Sequence, residues 1–64
     1  MNKALREARE RRGITQQALA ERVYISRQTY FRVEREGQLP RLDTAILIAE
    51  ELDSSVEELF KAVM

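Results

Sequence analysis

No cysteine and no histidine occur in the sequence. The first absence removes any disulfide framework and any thiolate metal site, and the second removes the commonest general base and zinc ligand. Most small-enzyme chemistry goes with them. Carboxylates are plentiful, but no nucleophile pairs with a base and no Gly-rich loop could cradle a phosphate. The expectation is a non-enzyme with no cofactor, metal ion or small-molecule substrate. Long apolar runs are also missing. Nothing approaches the roughly 20 consecutive apolar residues of a membrane span, and the N-terminus lacks a signal-peptide core. The expected location is cytoplasmic, with no membrane partner. With one proline and two glycines there is no linker or low-complexity segment. The chain reads as one domain, residues 1–64, of a size that buries only about 60% of its unfolded surface.

What is present is charge, unevenly placed. Lysine plus arginine number 11 and aspartate plus glutamate 11, so the net charge is zero. Taken alone, that balance argues against nucleic acid. Residues 1–41, however, hold ten basic side chains against five glutamates, a net of +5, whereas residues 42–64 set Lys61 against six acidic side chains, a net of −5. One end can face phosphates while the other stays in solvent or meets a partner.

Capping residues, glycine and proline divide the chain into five short helical stretches with no strand pattern, which predicts an all-α, compact five-helix bundle. The first helix starts after Asn2, carries Leu5 and Ala8 on one face and stops at Gly13, a natural left-handed C-cap. The Arg9, Arg11 and Arg12 run at its end either is a solvated terminus favoured by the helix dipole or meets phosphates. Ile14 points inward, and Thr15 caps a second helix with Ala18, Leu19 and Val23 on its apolar side. After the connection Tyr24-Ile25, Ser26 caps a third helix that ends at Gly37. Tyr30 and Val33 share its buried side with Ile25, while Arg27, Gln28, Phe31 and Arg32 fall outward. Beyond Pro40, Leu42, Ala45, Ile46, Ala49 and Leu52 form the stripe of a fourth helix, with Ile48 at its edge. Ser55 and Glu58 read as a capping box in which each satisfies the other's backbone donor, and Leu59, Phe60 and Val63 follow as a buried face. Leu5, Leu19, Val33, Ile46, Leu52 and Leu59 are the expected core anchors. Two short helices joined by three or four residues and flanked by supporting helices make a helix-turn-helix.

In this order and spacing, Leu5-Arg6-Glu7-Ala8-Arg9, Gly13-Ile14-Thr15-Gln16, Leu19-Ala20, Ser26-Arg27-Gln28-Thr29, Val33-Glu34-Arg35, Pro40, Leu42-Asp43-Thr44-Ala45, Ile48-Ala49, Leu52 and Glu57-Glu58-Leu59-Phe60 carry a resemblance. They resemble the Cro/CI-repressor type of helix-turn-helix domain, the lambda-repressor-like XRE family, over about residues 2–60. The resemblance implies a sequence-specific, double-stranded DNA-binding transcriptional regulator. It implies a repressor that binds a partly palindromic operator as a homodimer, with its third helix in the major groove. Its base-reading positions fall on Arg27, Gln28, Phe31 and Arg32. Arg suits the two acceptors of guanine and Gln the acceptor and donor of adenine. Phe31 stands where the family more often has a small or polar residue; it suits a thymine methyl or is an exposed aromatic with another purpose. Gln16 matches a phosphate-clamping position at the start of the second helix. Arg9, Thr15, Ser26, Arg35 and Arg41 complete the expected phosphate contacts. Arg9 and Glu34 are the expected ion pair between the first and third helices, and Phe60, Val63, Met64 and Leu47 the expected dimer contacts.

The departures from that pattern are specific. Tyr24 occupies the turn position usually held by a left-handed Gly, at a cost of about 1 kcal/mol. Tyr30 replaces a smaller core residue, so its hydroxyl is expected to reach water or a partner. Arg41 stands where Ser or Thr would cap the fourth helix, Asp53 where Gly would end it, and Leu47 where a charge is usual. Tyr24, Phe31, Leu39 and Leu47 are surplus surface apolar groups, which mark a divergent or redesigned member. The zero net charge, Phe31 and Leu47 support a second reading, a helical protein-interaction module, antitoxin-like or partner-binding, with weak or lost specific DNA binding.

Overall fold

A computed structural model describes residues 1–63, which form five α-helices and a closing 3-10 turn, with no strand among them. The helices are α1 (Lys3–Arg12), α2 (Gln16–Arg22), α3 (Arg27–Glu34), α4 (Leu42–Glu51) and α5 (Val56–Phe60), and the 3-10 turn is Lys61–Val63. Four of the five helix starts have a side-chain cap. The Asn2 carbonyl oxygen accepts from the Leu5 N–H, the Thr15 hydroxyl from Ala18, the Ser26 hydroxyl from Thr29 and the Ser55 hydroxyl from Glu58, each satisfying one donor that a helix start leaves orphaned. Only α4 lacks one: Arg41 holds the N-cap position with no side-chain bond. The Ser55 box is half formed, because Glu58 takes the Ser55 hydroxyl at 3.1 Å rather than a backbone N–H.

Gly13 closes α1 with φ 69°, its N–H reaching back to the carbonyls of Arg9 and Glu10. Two non-glycine residues share that left-handed conformation, Tyr24 at φ 65° and Asp53 at φ 52°, the two positions where the sequence departs from an expected glycine. Tyr24 is 85% exposed, so its ring makes little contact that would offset the strained backbone. The third helix stops at Glu34, three residues before Gly37. Arg35 caps it, Gln38 N–H bonds the Arg32 carbonyl at 3.0 Å, and Gly37 turns the chain away at φ 73°.

Leu5, Leu19, Val33, Leu52 and Leu59 are buried as expected, together with Ala8, Val23, Tyr30 and Phe60. Ile46 is a correction. It is 43% exposed and Leu42 71% exposed, whereas Ile48, expected at the edge of the stripe, is 0% exposed. The buried set of α4 is Ala45, Ile48, Ala49 and Leu52, which satisfies the i, i+3, i+4, i+7 rule as well as the stripe predicted from sequence. Periodicity alone could not choose between two overlapping stripes on so apolar a helix. Leu47, expected as a surface group, is half-buried and packs against the core, as do Ile14, Ile25, Val56 and Val63.

Asn2 ties the bundle together. Its carboxamide Nδ2 donates to the Leu59 carbonyl at 2.8 Å and its own N–H to the Glu34 carbonyl at 2.7 Å. One buried residue thus caps α1, receives the last turn of α5 and fixes the end of α3.

Candidate nucleic-acid interface

The inward face of α3 determines what its outward face presents. Glu34, with a side chain 1% exposed, sits at the end of α3 and accepts from three side chains on three helices. Arg9 of α1 donates Nε to Oε1 at 2.8 Å and Nη2 to Oε2 at 3.1 Å. Gln16 of α2 donates Nε2 to Oε2 at 2.9 Å, and Tyr30 of α3 its hydroxyl to Oε1 at 2.6 Å. Nη1 of Arg9 goes on to the Ile14 carbonyl at 2.8 Å, holding the turn between α1 and α2. A carboxylate buried this deeply needs such partners to remain charged. Burial is the largest single influence on Glu34 and pushes its pKa up, but the bonds from Arg9, Tyr30 and Gln16 outweigh it and hold the group below its ordinary value. Burial and the bond to Glu34 push the Tyr30 phenol well above its own ordinary value, and the bond to Glu34 raises Arg9 further. The expected Arg9–Glu34 pair therefore exists as part of a larger network. The Tyr30 hydroxyl, expected to reach water or a partner, is turned inside.

With α1, α2 and α3 locked at this point, the outward groups converge. Arg9, Thr15, Gln16, Gln17 and Arg27 line one shallow depression, and Arg27, Gln28 and Phe31 line the next. Arg27 belongs to both, so the end of α1 and the starts of α2 and α3 form one continuous polar surface. Arg27, Gln28, Phe31 and Arg32 are all exposed, as expected from their spacing. Ser26 is exposed as well, its hydroxyl bonded to the Thr29 hydroxyl at 2.8 Å. Arg35 lies over the Phe31 ring, its guanidinium carbon 5.8 Å from the centroid, within cation–π range.

Other expected residues are engaged within the protein or lie elsewhere. Most of Arg9 is engaged by Glu34 and Ile14, leaving its side chain 13% exposed. The Gln16 carboxamide bonds Glu34 rather than standing free for a phosphate. Arg41 pairs loosely with Asp43 at 3.4 Å and lines a different groove with Tyr24, Leu39 and Leu47. Phe60 is a correction: it is 0% exposed, a core residue of the single chain with no area to offer a second copy. Val63 is half-buried against the core, and Met64 lies outside the described residues. Sequence reasoning missed Gln17, which joins the first depression and bonds Glu21 at 2.9 Å. A second glutamine directly after the Thr15 cap, on the first exposed turn of α2, was the available signal.

The sequence profile described as Helix-turn-helix matches residues 5–59 of the chain. The chain belongs to the XRE-type helix-turn-helix family. An uncharacterized HTH-type transcriptional regulator of Methanothermobacter thermautotrophicus is 39% identical over 61 residues, covering 94% of this chain and 88% of that protein. No solved structure matches the chain. Membership of this helix-turn-helix family supports a DNA-binding regulatory role rather than a catalytic one. Among the described residues no cluster of three acidic side chains is placed to hold a metal ion, and no helix is long and apolar enough to cross a membrane.

Proposed function

We propose that the protein is a transcriptional regulator, acting as a repressor, that reads a partly palindromic duplex as a homodimer with α3 in the major groove. The observation that carries this reading is the exposed set Arg27, Gln28, Phe31 and Arg32 on one face of α3, whose opposite face is fixed by the Glu34 network. A recognition helix must be rigid to discriminate bases, and its N-terminal residues are those that reach base edges. Arg27 bonds guanine and Gln28 adenine in this reading. Arg35, Thr15 and Ser26 approach phosphates. Arg9 and Gln16 act mainly by holding α3 in place, each with a smaller share in phosphate contact. Arg41 lies further along the backbone path.

With Phe60 enclosed, the apolar groups available for association among the described residues of the acidic half are Leu42 and Ile46, with half-buried Leu47, Val56 and Val63. Two copies joined there place their third helices about 34 Å apart, one helical turn of DNA. Repression follows by occlusion of polymerase. Selection from random duplexes tests the reading: enrichment of a palindrome with half-sites one turn apart supports it, and no enrichment at low salt overturns it. The exposed Tyr24 and Leu39 favour a second reading, a module whose main contact is another protein; it predicts that failure of enrichment. Sedimentation at micromolar protein that gives only monomers, with and without the selected duplex, overturns the dimer.

A further inference from the structure

The Phe31 ring is 40% exposed on a face that is otherwise polar and basic. It forms part of a depression whose other two sides are Arg27 and Gln28. Arg27 lies one turn back along α3, and Arg35, one turn ahead, covers the ring. The aromatic group therefore has one cation over its ring and shares a depression with Arg27 and Gln28, to which it contributes the apolar surface. We infer that this depression is a binding site for the 5-methyl group of a pyrimidine in the major groove, with Phe31 as its specificity-determining residue. The inference rests on the reading of α3 as the recognition helix.

A 5-methyl group is the one apolar feature that base pairs display in the major groove, and an aromatic ring is a suitable contact for it. The spacing agrees. One helical turn is about 5.4 Å and one base step about 3.4 Å, so Phe31 meets a base pair one or two steps from the guanine held by Arg27. A protein partner fits this depression poorly. An apolar anchor docking there must also desolvate Arg27, Arg32 and Arg35 without a compensating charge, whereas a duplex supplies phosphates around the methyl group. Thymine and 5-methylcytosine carry the methyl at the same place, so the site distinguishes methylated from unmethylated cytosine as well as thymine from uracil.

The test uses the full chain and its selected duplex. Each thymine is replaced singly by deoxyuridine, which removes the methyl and nothing else, and binding is measured by fluorescence anisotropy. One thymine per half-site is expected to lose about fourfold in affinity, the equivalent of burying one methyl-sized group. At that position a cytosine duplex regains about fourfold when the cytosine is 5-methylated. Phe31→Ala, an exposed change that leaves the core intact, is expected to bind uracil and thymine forms equally, while Phe31→Leu retains a preference. A well-defined site at which no thymine is methyl-sensitive, or equal sensitivity in Phe31→Ala, overturns this inference alone. Absence of any preferred site overturns the DNA-reading proposal and this inference with it.

Discussion

The Tyr30 hydroxyl donates to Oε1 of Glu34 at 2.6 Å, one turn further along the same helix, and both residues are fully enclosed. Tyr30 is thus a polar strut inside the core, which explains why a residue larger than the usual aliphatic one is accommodated there. Tyr30→Phe keeps the ring but strands one lone pair of a buried carboxylate, so it is expected to lower stability by about 1–3 kcal/mol. Arg9→Ala removes the charge partner and is expected to cost more, about 3–5 kcal/mol. Urea denaturation of the two variants checks the order; equal losses would show that the Arg9 charge contributes no more than the tyrosine bond.

The same network gives the stability a dependence on pH at both ends. Glu34 is held below its ordinary 4.5 in the folded chain. Its contribution is therefore fully present above that value and lost as pH falls through the lower folded value. Tyr30 is raised above its ordinary 10.0, so its contribution is fully present below 10.0 and lost as pH rises beyond it. Thermal melts are expected to fall steeply below pH 4.5 and again above pH 10.0, with the alkaline decline reduced in Tyr30→Phe. An unchanged alkaline decline in that variant would assign it to other groups.

The helix order and the caps at Asn2, Thr15, Ser26 and Ser55 were legible because each depends on residues close in sequence, whereas the left-handed Tyr24 and Asp53 were marked by the family resemblance, in which glycine usually holds those positions. The outward placement of Arg27, Gln28, Phe31 and Arg32 was legible from local spacing, as the caps were. Three features were not. The burial of Ile48 over Ile46 depends on which neighbours α4 meets, and the convergence of Gln16 and Tyr30 on Glu34 on the angle between helices. Spacing placed Phe60 on a buried face, but whether that face closes within the chain or against a second copy depends on how α5 packs against α1 and α4.

Tyr24 at φ 65° and 85% exposure carries backbone strain with little packing to offset it. Tyr24→Gly removes a left-handed cost of about 1–2 kcal/mol but adds unfolded-chain entropy, so the net expectation is a gain of up to about 1 kcal/mol. In a domain of this size that raises Tm by about 4–8 °C per kcal/mol. A lower Tm would mean that the ring makes contacts that outweigh its backbone strain.

The Asn2 side chain makes two bonds at once, accepting from the Leu5 N–H and donating to the Leu59 carbonyl, while its backbone N–H meets the Glu34 carbonyl. Asn2→Asp preserves the cap but turns the Leu59 donor into a second acceptor. Asn2→Ala removes both side-chain bonds. Both are expected to destabilise, Asn2→Ala by about 2 kcal/mol from a lost cap and an orphaned carbonyl. Hydrogen exchange is expected to show faster opening of α5 in either variant; unchanged α5 protection would limit the role of Asn2 to α1.

Arg27 lines both depressions and is exposed, so its removal should leave the fold untouched and report on DNA alone. Arg27→Ala is expected to weaken binding to the selected duplex by about 1–3 kcal/mol and to relax one base position, with a smaller loss on random duplex. Gln16→Ala acts differently. It takes one partner from Glu34 and loosens the seat of α3, so it should reduce stability and weaken all duplexes to a similar degree. Titrations on specific and random DNA, run beside melts of each variant, separate the two roles. Equal losses on both duplexes for Arg27→Ala would remove it from base reading and leave it as a phosphate contact.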